Sequence, residues 1–596
     1  MLYSYLEKRL FPGGNEQDVL YQKWRWQIFY ITWLAYAGFY LTRKSFAVAK
    51  VDLARPEVLG LSLGDMSWMD FGYAAAYAAG QFAWGMCGDR FGTRRVILYG
   101  MMASVLTAIF MGASSLVIML GILFCFQGVC QSTGWAPLTK NIGNFFAQKE
   151  RGRMMGFWCT NYALGGVIAS ALAGFAIEWG GQNRLAAYQP GQPPVLAEVI
   201  KVAASQGRDV ATAEVIHGQL LITHATMLSP TAAADALAGL FQDAQQNVHA
   251  RAAALRGLHA LNEPRLDESL KAALQSKDAA MKRAAEDLQN QIEKETKRAA
   301  NGDSPKPLPG EERLKKINQQ AVHTLWGMLG WRFAFWVPAA VLLCIWRLFI
   351  WLQRNRPEDV GLPAIEEYKG EARAVLTGDT QKEEAEEGTW ALIRQVMSNR
   401  MVQLLAGVYL LLKPARYLIL FWSPLYVNEK LGTGAAESGI IGSLFELAGP
   451  LGVLLGGYLS DKVFGARRMP VAVIGLVVVA VMLLGFNALP ETKLALGSAF
   501  FFIGFFLYMP DSLVAGTAAL DFGTRKGAGT AAGMINGFGS IGAMVGVSLP
   551  GVLTLLLGEE ADIWFYIFPG LGVSLVIAAV LLLPKWNALP ATEKTA

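Results

Sequence analysis

The sequence predicts an all-α membrane protein, with twelve transmembrane helices in two six-helix pseudo-repeats and an α-helical insertion between helices 5 and 6. Three observations carry that reading. Of 596 residues, 53% are hydrophobic and 17% charged, at a mean hydropathy of +0.32, which is too apolar for a soluble chain of this length. Apolar runs of spanning length, about 20 residues, recur along the chain, and every second short loop between them is basic. Finally, two features return at nearly one offset: Asp89 and Asp461 lie 372 residues apart, and Arg43 and Arg416 lie 373 apart. Parallel repeats related by an axis along the membrane normal have this signature.

The spans begin near Gln27, Ser67, Val96, Val117, Met154, Phe333, Met401, Ser438, Val471, Ala495, Gly529 and Ile563. Arg90, Arg94 and Arg95 follow the second; Lys149, Arg151 and Arg153 follow the fourth; Arg354 and Arg356, then Lys462, Arg467 and Arg468, then Arg525 and Lys526 follow the later even-numbered spans. The odd-numbered short loops are neutral or acidic, as at Glu491 and Glu559–Glu560. The positive-inside rule therefore puts both termini in the cytoplasm of a multi-pass protein of the cell inner membrane. The N-terminal stretch lacks the apolar core and small-residue cleavage site of a signal peptide, so the first span is expected to act as an uncleaved insertion signal. The expected organisation is 1–181 for helices 1–5, 182–325 for the insertion, 326–354 for helix 6, 355–395 for a cytoplasmic linker and 396–596 for helices 7–12.

The insertion faces outward on this topology. It is rich in Ala, Gln, Lys and Glu, and Val248–Leu258 aligns with Ala280–Leu288 at an offset of 32 residues. That period resembles HEAT-like helical repeats; an ordinary two- or three-helix bundle is the alternative. Its charged end, Lys294–Lys316, reads as a flexible linker. Such a module could take a ligand or protein partner on the outer side.

Composition also excludes. No basic tract with interleaved aromatics suggests nucleic acid. The five cysteines lie in or at the ends of spans without metal-ligand spacing, and all five histidines lie in the insertion. The membrane part therefore has no histidine proton relay, and neither a metal nor another cofactor is expected. Nor does a nucleophile stand at useful spacing from a base, so no enzyme is expected.

The informative stretch is YAGFYLTRKSF, Tyr36–Phe46. Tyr36, Tyr40 and Arg43 fall at i, i+4 and i+7 and share one helix face. Tyr409, Lys413 and Arg416 repeat the spacing in the second half, next to the helix-kinking Pro414. Arg43, Lys44, Lys413 and Arg416 outnumber Glu446 and Asp511, the clear negatives at membrane depth; a structural ion pair of Lys413 with Asp511 or Glu446 is the alternative for that lysine. Charge at membrane depth is expensive, and the positive excess suits an anion. A guanidinium fork matches phosphate oxygens, so phosphate is favoured over chloride or a carboxylate. Gly85, Asp89, Arg90 and Arg94 form a G-x-x-x-D-R loop that returns at Gly457, Asp461, Lys462 and Arg467, read as gating loops whose charges latch one face. Small residues at Ala163, Gly165, Gly166, Gly174, Gly533, Gly537, Gly539, Gly542 and Gly546 suit helices that approach closely and slide.

GMCGDRFGTRR, its second copy and the twelve-span plan resemble the major facilitator superfamily. FYLTRKSF (Phe39–Phe46), GWAPLTKNIGNFFAQKERGR (Gly134–Arg153), RPEDVGLPAIEEYKG (Arg356–Gly370), RYLILFWSPLY (Arg416–Tyr426) and AGTAAG (Ala528–Gly533) narrow this to the organophosphate:phosphate antiporter family, which includes glycerol-3-phosphate and hexose-6-phosphate transporters and sugar-phosphate-sensing relatives. The resemblance covers nearly everything but the insertion. It implies that Arg43 and Arg416 are paired phosphate-binding arginines, that Tyr36, Tyr40 and Tyr77 line the pore, and that Lys44 and Glu446 belong to an intramembrane salt-bridge set. Three positions depart from the glycerol-3-phosphate pattern: Gln81 replaces a lysine, Phe421 an aspartate and Tyr162 a histidine. Lys413, where those transporters have tyrosine, is positioned to replace the lost lysine. The expected function is exchange of a sugar or glycerol phosphate for inorganic phosphate by alternating access; the alternative is a membrane sensor that binds a sugar phosphate without transporting it.

Overall fold

The computed structural model describes residues 16–588 except 56–57, 147–153, 156, 189–194, 207, 209, 244–245, 247, 301–309, 369–397, 518–527 and 559–560. Among the described residues the regular structure is entirely helical. The first membrane helices are α1 (Glu16–Leu53), α2 (Leu63–Phe91), α3 (Thr93–Ala113), α4 (Val117–Gln131), α5 (Trp135–Phe145) and α6 (Thr160–Leu185). The insertion contributes α7 (Leu196–Ser205), α8 (Val210–Ala225), α9 (Pro230–Gln242), α10 (Val248–Leu261), α11 (Leu266–Leu274), α12 (Ala279–Ala300) and α13 (Gly310–Gly330). Then come α14 (Phe333–Leu352), α15 (Arg400–Leu431), α16 (Ala435–Tyr458), α17 (Arg468–Leu484), α18 (Lys493–Ser512), α19 (Ala528–Leu557) and α20 (Ile563–Leu582).

Eight of these elements are long and apolar enough to cross a membrane: α3, α6, α14, α15, α16, α18, α19 and α20, while α4 and α17 are shorter apolar helices. α1 and α2 fall outside that set because tyrosine, tryptophan, glycine and charged residues dilute their apolar content. Their Arg43, Lys44, Lys50, Asp52 and Asp70 are nonetheless buried, so the polarity faces protein and not lipid. On the outside of the bundle, Tyr99, Ile118, Val481, Leu494, Leu555 and Phe565 are largely exposed, an apolar surface that only a bilayer would cover at this scale.

The two halves pack alike. α1 packs on α6 and α14, α2 on α4, and α3 on α14; correspondingly α15 packs on α19 and α20, α16 on α18, and α17 on α20. Between the halves, α6 meets α16, α2 meets α19, and α1 meets α15 and α16. These junctions are tight at the ends nearest the insertion. A Cβ added to Gly174 on α6 would lie 2.2 Å from the Cα of Ala436 on α16, and the Gly551 amide on α19 donates to Ser67 Oγ on α2 at 2.8 Å.

In the insertion, α7 packs on α8, α9 on α10 and α11 on α12, and the second helices stack in turn, α8 on α10 and α10 on α12. α13 packs on α8, α10 and α6 and so joins the insertion to the membrane bundle. The charged stretch read as a flexible linker differs from expectation. α12 runs on to Ala300 and α13 begins at Gly310, so most of Lys294–Lys316 is helical and only 301–309 lies outside the described residues. Ala, Glu, Lys and Arg are strong helix formers, and the breakers are confined to Asn301–Gly310.

Candidate functional site

Arg43 lies about three turns before the end of α1, or roughly 15 Å by helical rise. Its side chain is buried, and its Nε donates to Gln131 Oε1 at 3.1 Å. Gln131 is the last residue of α4, where the chain breaks before α5. Tyr73 OH also donates to Gln131 Oε1, at 2.7 Å, while Gln131 Nε2 donates to Thr42 Oγ1 at 3.0 Å. The Arg43 guanidinium lies 4.4 Å from the Tyr40 ring centre and 4.8 Å from that of Tyr77. Tyr36 packs beside Tyr40. Arg43 has no carboxylate partner among the described residues, and its Nη2 is buried without any hydrogen bond. Aromatic faces ease the burial of a guanidinium but do not neutralise it.

The second half supplies a different arrangement. Asp511 on α18 receives Arg416 Nη1 at 2.5 Å and Lys413 Nζ at 3.2 Å. Two cations thus share one carboxylate. The Arg416 guanidinium lies 4.5 Å from the Tyr508 ring centre and 5.8 Å from that of Tyr162, and its Nε is unpartnered. Lys413 Nζ lies 4.6 Å from the Tyr409 ring centre. Lys44 pairs with Glu446 at 2.8 Å. Gly166 makes room for that carboxylate, since a Cβ there would lie 2.2 Å from Glu446 Oε1. Counting Arg43, Lys44, Lys413 and Arg416 against Glu446 and Asp511 leaves the interior positive, as the residue count implied.

Arg43 and Lys413, one from each half, border a common cavity of about 90 Å³ with Tyr77, Gln81, Tyr417 and Asn536, room for several waters. Arg416 does not border it; it lies one turn beyond Lys413 and is engaged by Asp511. Tyr40, Tyr417 and Glu446 are each within electrostatic reach of both Arg43 and Arg416, so the two guanidiniums act on one region.

Two further features were missed from the sequence. Lys50, one heptad after Arg43 on the same face of α1, forms a fully buried ion pair with Asp70 on α2. Both are charges inside apolar segments, which was the available signal. Lys50 Nζ also lies 3.3 Å from the Phe421 carbonyl and 3.7 Å from the Trp422 ring centre, both on α15. One carbonyl back, Lys44 Nζ donates to Leu420 O at 2.8 Å. Pro424 explains this docking point: it has no N–H to give Leu420, four residues earlier, so that carbonyl is left without its helical partner. Two lysines of the first half are thereby seated on backbone carbonyls of the second, on the insertion side of the cavity.

The loop motifs are only partly described. The side chains of Gly85–Arg90 and Asp461 lie outside the described residues. Arg94 holds its own half together: its backbone N–H donates to Asn355 Oδ1 at 2.8 Å and its guanidinium to the Ile350 carbonyl. In the second half, Gly457 is helical, Lys462 is exposed, and Arg467 Nη1 donates to Asn587 Oδ1 at 3.3 Å. Among the described residues no cluster suited to a metal ion occurs.

Two similarly packed helical bundles enclosing a polar, net-positive cavity, with an apolar exterior, define a multi-pass membrane protein of transporter type. The chain belongs to the Major Facilitator Superfamily, whose family model matches residues 32–191 and 321–547. It is 23% identical over 594 residues to the "Probable hexose phosphate transport protein" of Chlamydia pneumoniae, covering 97% of this chain and 95% of that one. It is 31% identical to the membrane sensor protein UhpC of Escherichia coli over 44% of this chain and 57% of that one. It is also 31% identical to the glycerol-3-phosphate transporter of Bacillus subtilis over 43% of this chain and 56% of that one. A solved bacterial homolog of the human lysosomal transporter Spinster, inward-facing and unoccupied, aligns over 96% of both chains at a TM-score of 0.51 and 14% identity, a likeness of fold alone.

Proposed function

We propose that this chain is a secondary transporter that exchanges an organophosphate, a sugar phosphate or glycerol phosphate, for inorganic phosphate by alternating access. The observation that carries the reading is Arg43: a buried guanidinium with an unpartnered Nη2 and no carboxylate, beside a cavity it shares with Lys413 of the other half. The names of the relatives, hexose phosphate and glycerol-3-phosphate transporters, point to the same chemistry. On this reading twelve spans form two six-helix halves, bounded as 1–181 with 326–354 and as 396–596, joined by the cytoplasmic linker 355–395. Both termini are cytoplasmic, in an inner membrane. The insertion, 182–325, faces outward, and its stacked helix pairs are HEAT-like.

Substrate phosphate meets Arg43 and Lys413 first, with Tyr77 on the cavity wall; Tyr40, against the Arg43 guanidinium, and Tyr36, packed on Tyr40, Trp135 and Trp158, do not border the cavity, contrary to expectation, and back the arginine instead. Arg416 joins the grip as phosphate oxygens displace Asp511. An empty site keeps uncompensated positive charge, which raises the barrier to rocking; a bound anion lowers it, so return requires an exchanged anion. Lys44 and Lys50, seated on the Leu420 and Phe421 carbonyls, hold the outer side closed and must leave those seats when it opens. The G-x-x-x-D-R/K loops latch the opposite side.

The test is exchange in phosphate-loaded proteoliposomes with a panel of organophosphates, comparing the natural chain with Arg416→Lys. The lysine keeps charge but loses the fork, so exchange should fall severely; exchange at the natural rate refutes the reading. The similarity to UhpC favours a second reading, a sugar-phosphate sensor. A sensor binds ligand in the same vesicles and shows no exchange.

A further inference from the structure

The larger cavity is not the central one. A space of about 330 Å³ lies between the insertion and the bundle, within the range of small-molecule sites. It is walled by α8, α10 and α13 of the insertion, by the turn after α1 and by the end of α15. Its chemistry is one-sided: Arg55, Arg256, His323, Gln219, Gln320 and Asn428 border it, and no Asp or Glu does among the described residues.

The site is also built. Arg55 bridges bundle and insertion, with Nε 3.2 Å from Asp52 Oδ1 and Nη1 donating to Thr324 Oγ1 on α13 at 2.9 Å. That fixes the guanidinium at the wall. Gln219 is 8% exposed, and its side-chain amide has no hydrogen-bond partner among the described residues. Its amide is therefore open to the cavity and can hydrogen-bond to what fills it.

We propose that this vestibule binds a small organic anion carrying a phosphate group, gripped by Arg55 and Arg256 and hydrogen-bonded by Gln219 and His323. The anion preference stands on the wall residues; the choice of phosphate over carboxylate rests on the reading of the central cavity. The vestibule touches both halves, through Arg55 after α1, Asn428 on α15 and Gly432 just after it, at the end where the halves are sealed. A ligand held there waits above the closed entrance.

His323 reports occupancy. Burial lowers its pKa below 6.5, with Arg55 and Lys493 acting in the same direction and Glu437 against them; Glu178 also lies close by, near Gly434. An anion bound beside the imidazole favours the imidazolium and raises that pKa.

The experiment uses the full chain in phosphatidylcholine nanodiscs with labelled histidine imidazoles, the His323 resonance being assigned by its loss in His323→Gln. Glucose 6-phosphate is expected to shift this resonance saturably and raise its titration midpoint, in the natural chain and equally in Arg43→Gln. Arg256→Ala and Gln219→Leu, on an exposed and a cavity-facing position, should each weaken the response by about tenfold, the loss of one charge-assisted or buried hydrogen bond. A resonance indifferent to glucose 6-phosphate, or a response unchanged in both variants, overturns the vestibule site. A resonance already displaced in phosphatidylglycerol discs and deaf to the sugar phosphate assigns the cavity to a lipid headgroup and also overturns it. Exchange assays on the same purified variants in phosphate-loaded proteoliposomes keep the two readings apart: Arg43→Gln should abolish exchange while leaving the His323 response in nanodiscs intact.

Discussion

Asp511 is the group through which the central site is most directly tested. Its carboxylate lies 2.5 Å from Arg416 Nη1 and 3.2 Å from Lys413 Nζ, with all three side chains at most 14% exposed. At an effective dielectric near 20, each contact is worth about 5–7 kcal/mol of gross attraction. Desolvation offsets much of that, and net couplings of close charge pairs run from about 1.5 kcal/mol upward. A phosphate that recruits Arg416 must displace Asp511, so it forfeits at least one such coupling. Asp511→Asn removes the competitor while keeping the shape. Inorganic phosphate should therefore bind roughly tenfold to a hundredfold more tightly, the equivalent of about 1.4–2.8 kcal/mol. Exchange should slow, because release no longer gains the returning carboxylate. Isothermal titration in detergent and exchange in proteoliposomes measure the two quantities. The ligand-free variant should also melt earlier than the natural chain and be stabilised more by phosphate, since two buried cations have lost their partner. Unchanged or weaker phosphate binding in Asp511→Asn refutes the idea that Asp511 and substrate contend for Arg416.

Three other outcomes follow from particular contacts. Pro424→Ala restores an N–H that competes with Lys44 for the Leu420 carbonyl, so the outer side should open more often; a cysteine at Ser423, in a chain otherwise free of cysteine, should react faster with an impermeant thiol reagent, and an equal rate counts against the docking role. Gly174→Val places side-chain atoms where a Cβ alone meets Ala436 at 2.2 Å. Overpacking of this kind costs about 1–3 kcal/mol, so the closed junction of α6 and α16 should be disfavoured, seen as a lower melting temperature together with impaired exchange. Without ligand, His323 should titrate below 6.5. Its neutral form is the stabilised one, so its contribution to stability is present above pH 6.5 and fades as pH falls toward its folded pKa; His323→Gln should flatten the pH dependence of melting in that window, and a midpoint above 6.5 contradicts the sign.

Much of the architecture was legible because membrane insertion writes itself into composition. The apolar runs, the alternation of basic loops and the matched offsets of Asp89 with Asp461 and Arg43 with Arg416 follow from local chemistry repeated along the chain, and no distant contact is needed to read them. The i, i+4, i+7 faces ending in Arg43 and Arg416 were legible for the same reason, since helical spacing is local. Partner choice was not. That Asp511 holds both Lys413 and Arg416, that Glu446 takes Lys44, and that Gln131 steadies Arg43 depend on which helices lie side by side, which packing across sequence separations of tens to hundreds of residues decides. The charged end of the insertion shows the opposite error at its two flanks: charge suggested a linker, while strong helix formers carry α12 to Ala300 and packing against α8, α10 and α6 orders α13 from Gly310, with 301–309 outside the described residues. The seat that Pro424 opens for Lys44, and the vestibule between Arg55 and Gln219, exist only where separate segments converge. The sequence by itself determined a positive interior inside a two-part bundle; tertiary structure alone decided which charges are cancelled and which, like Arg43, are left without a carboxylate, because only packing brings partners from distant segments together.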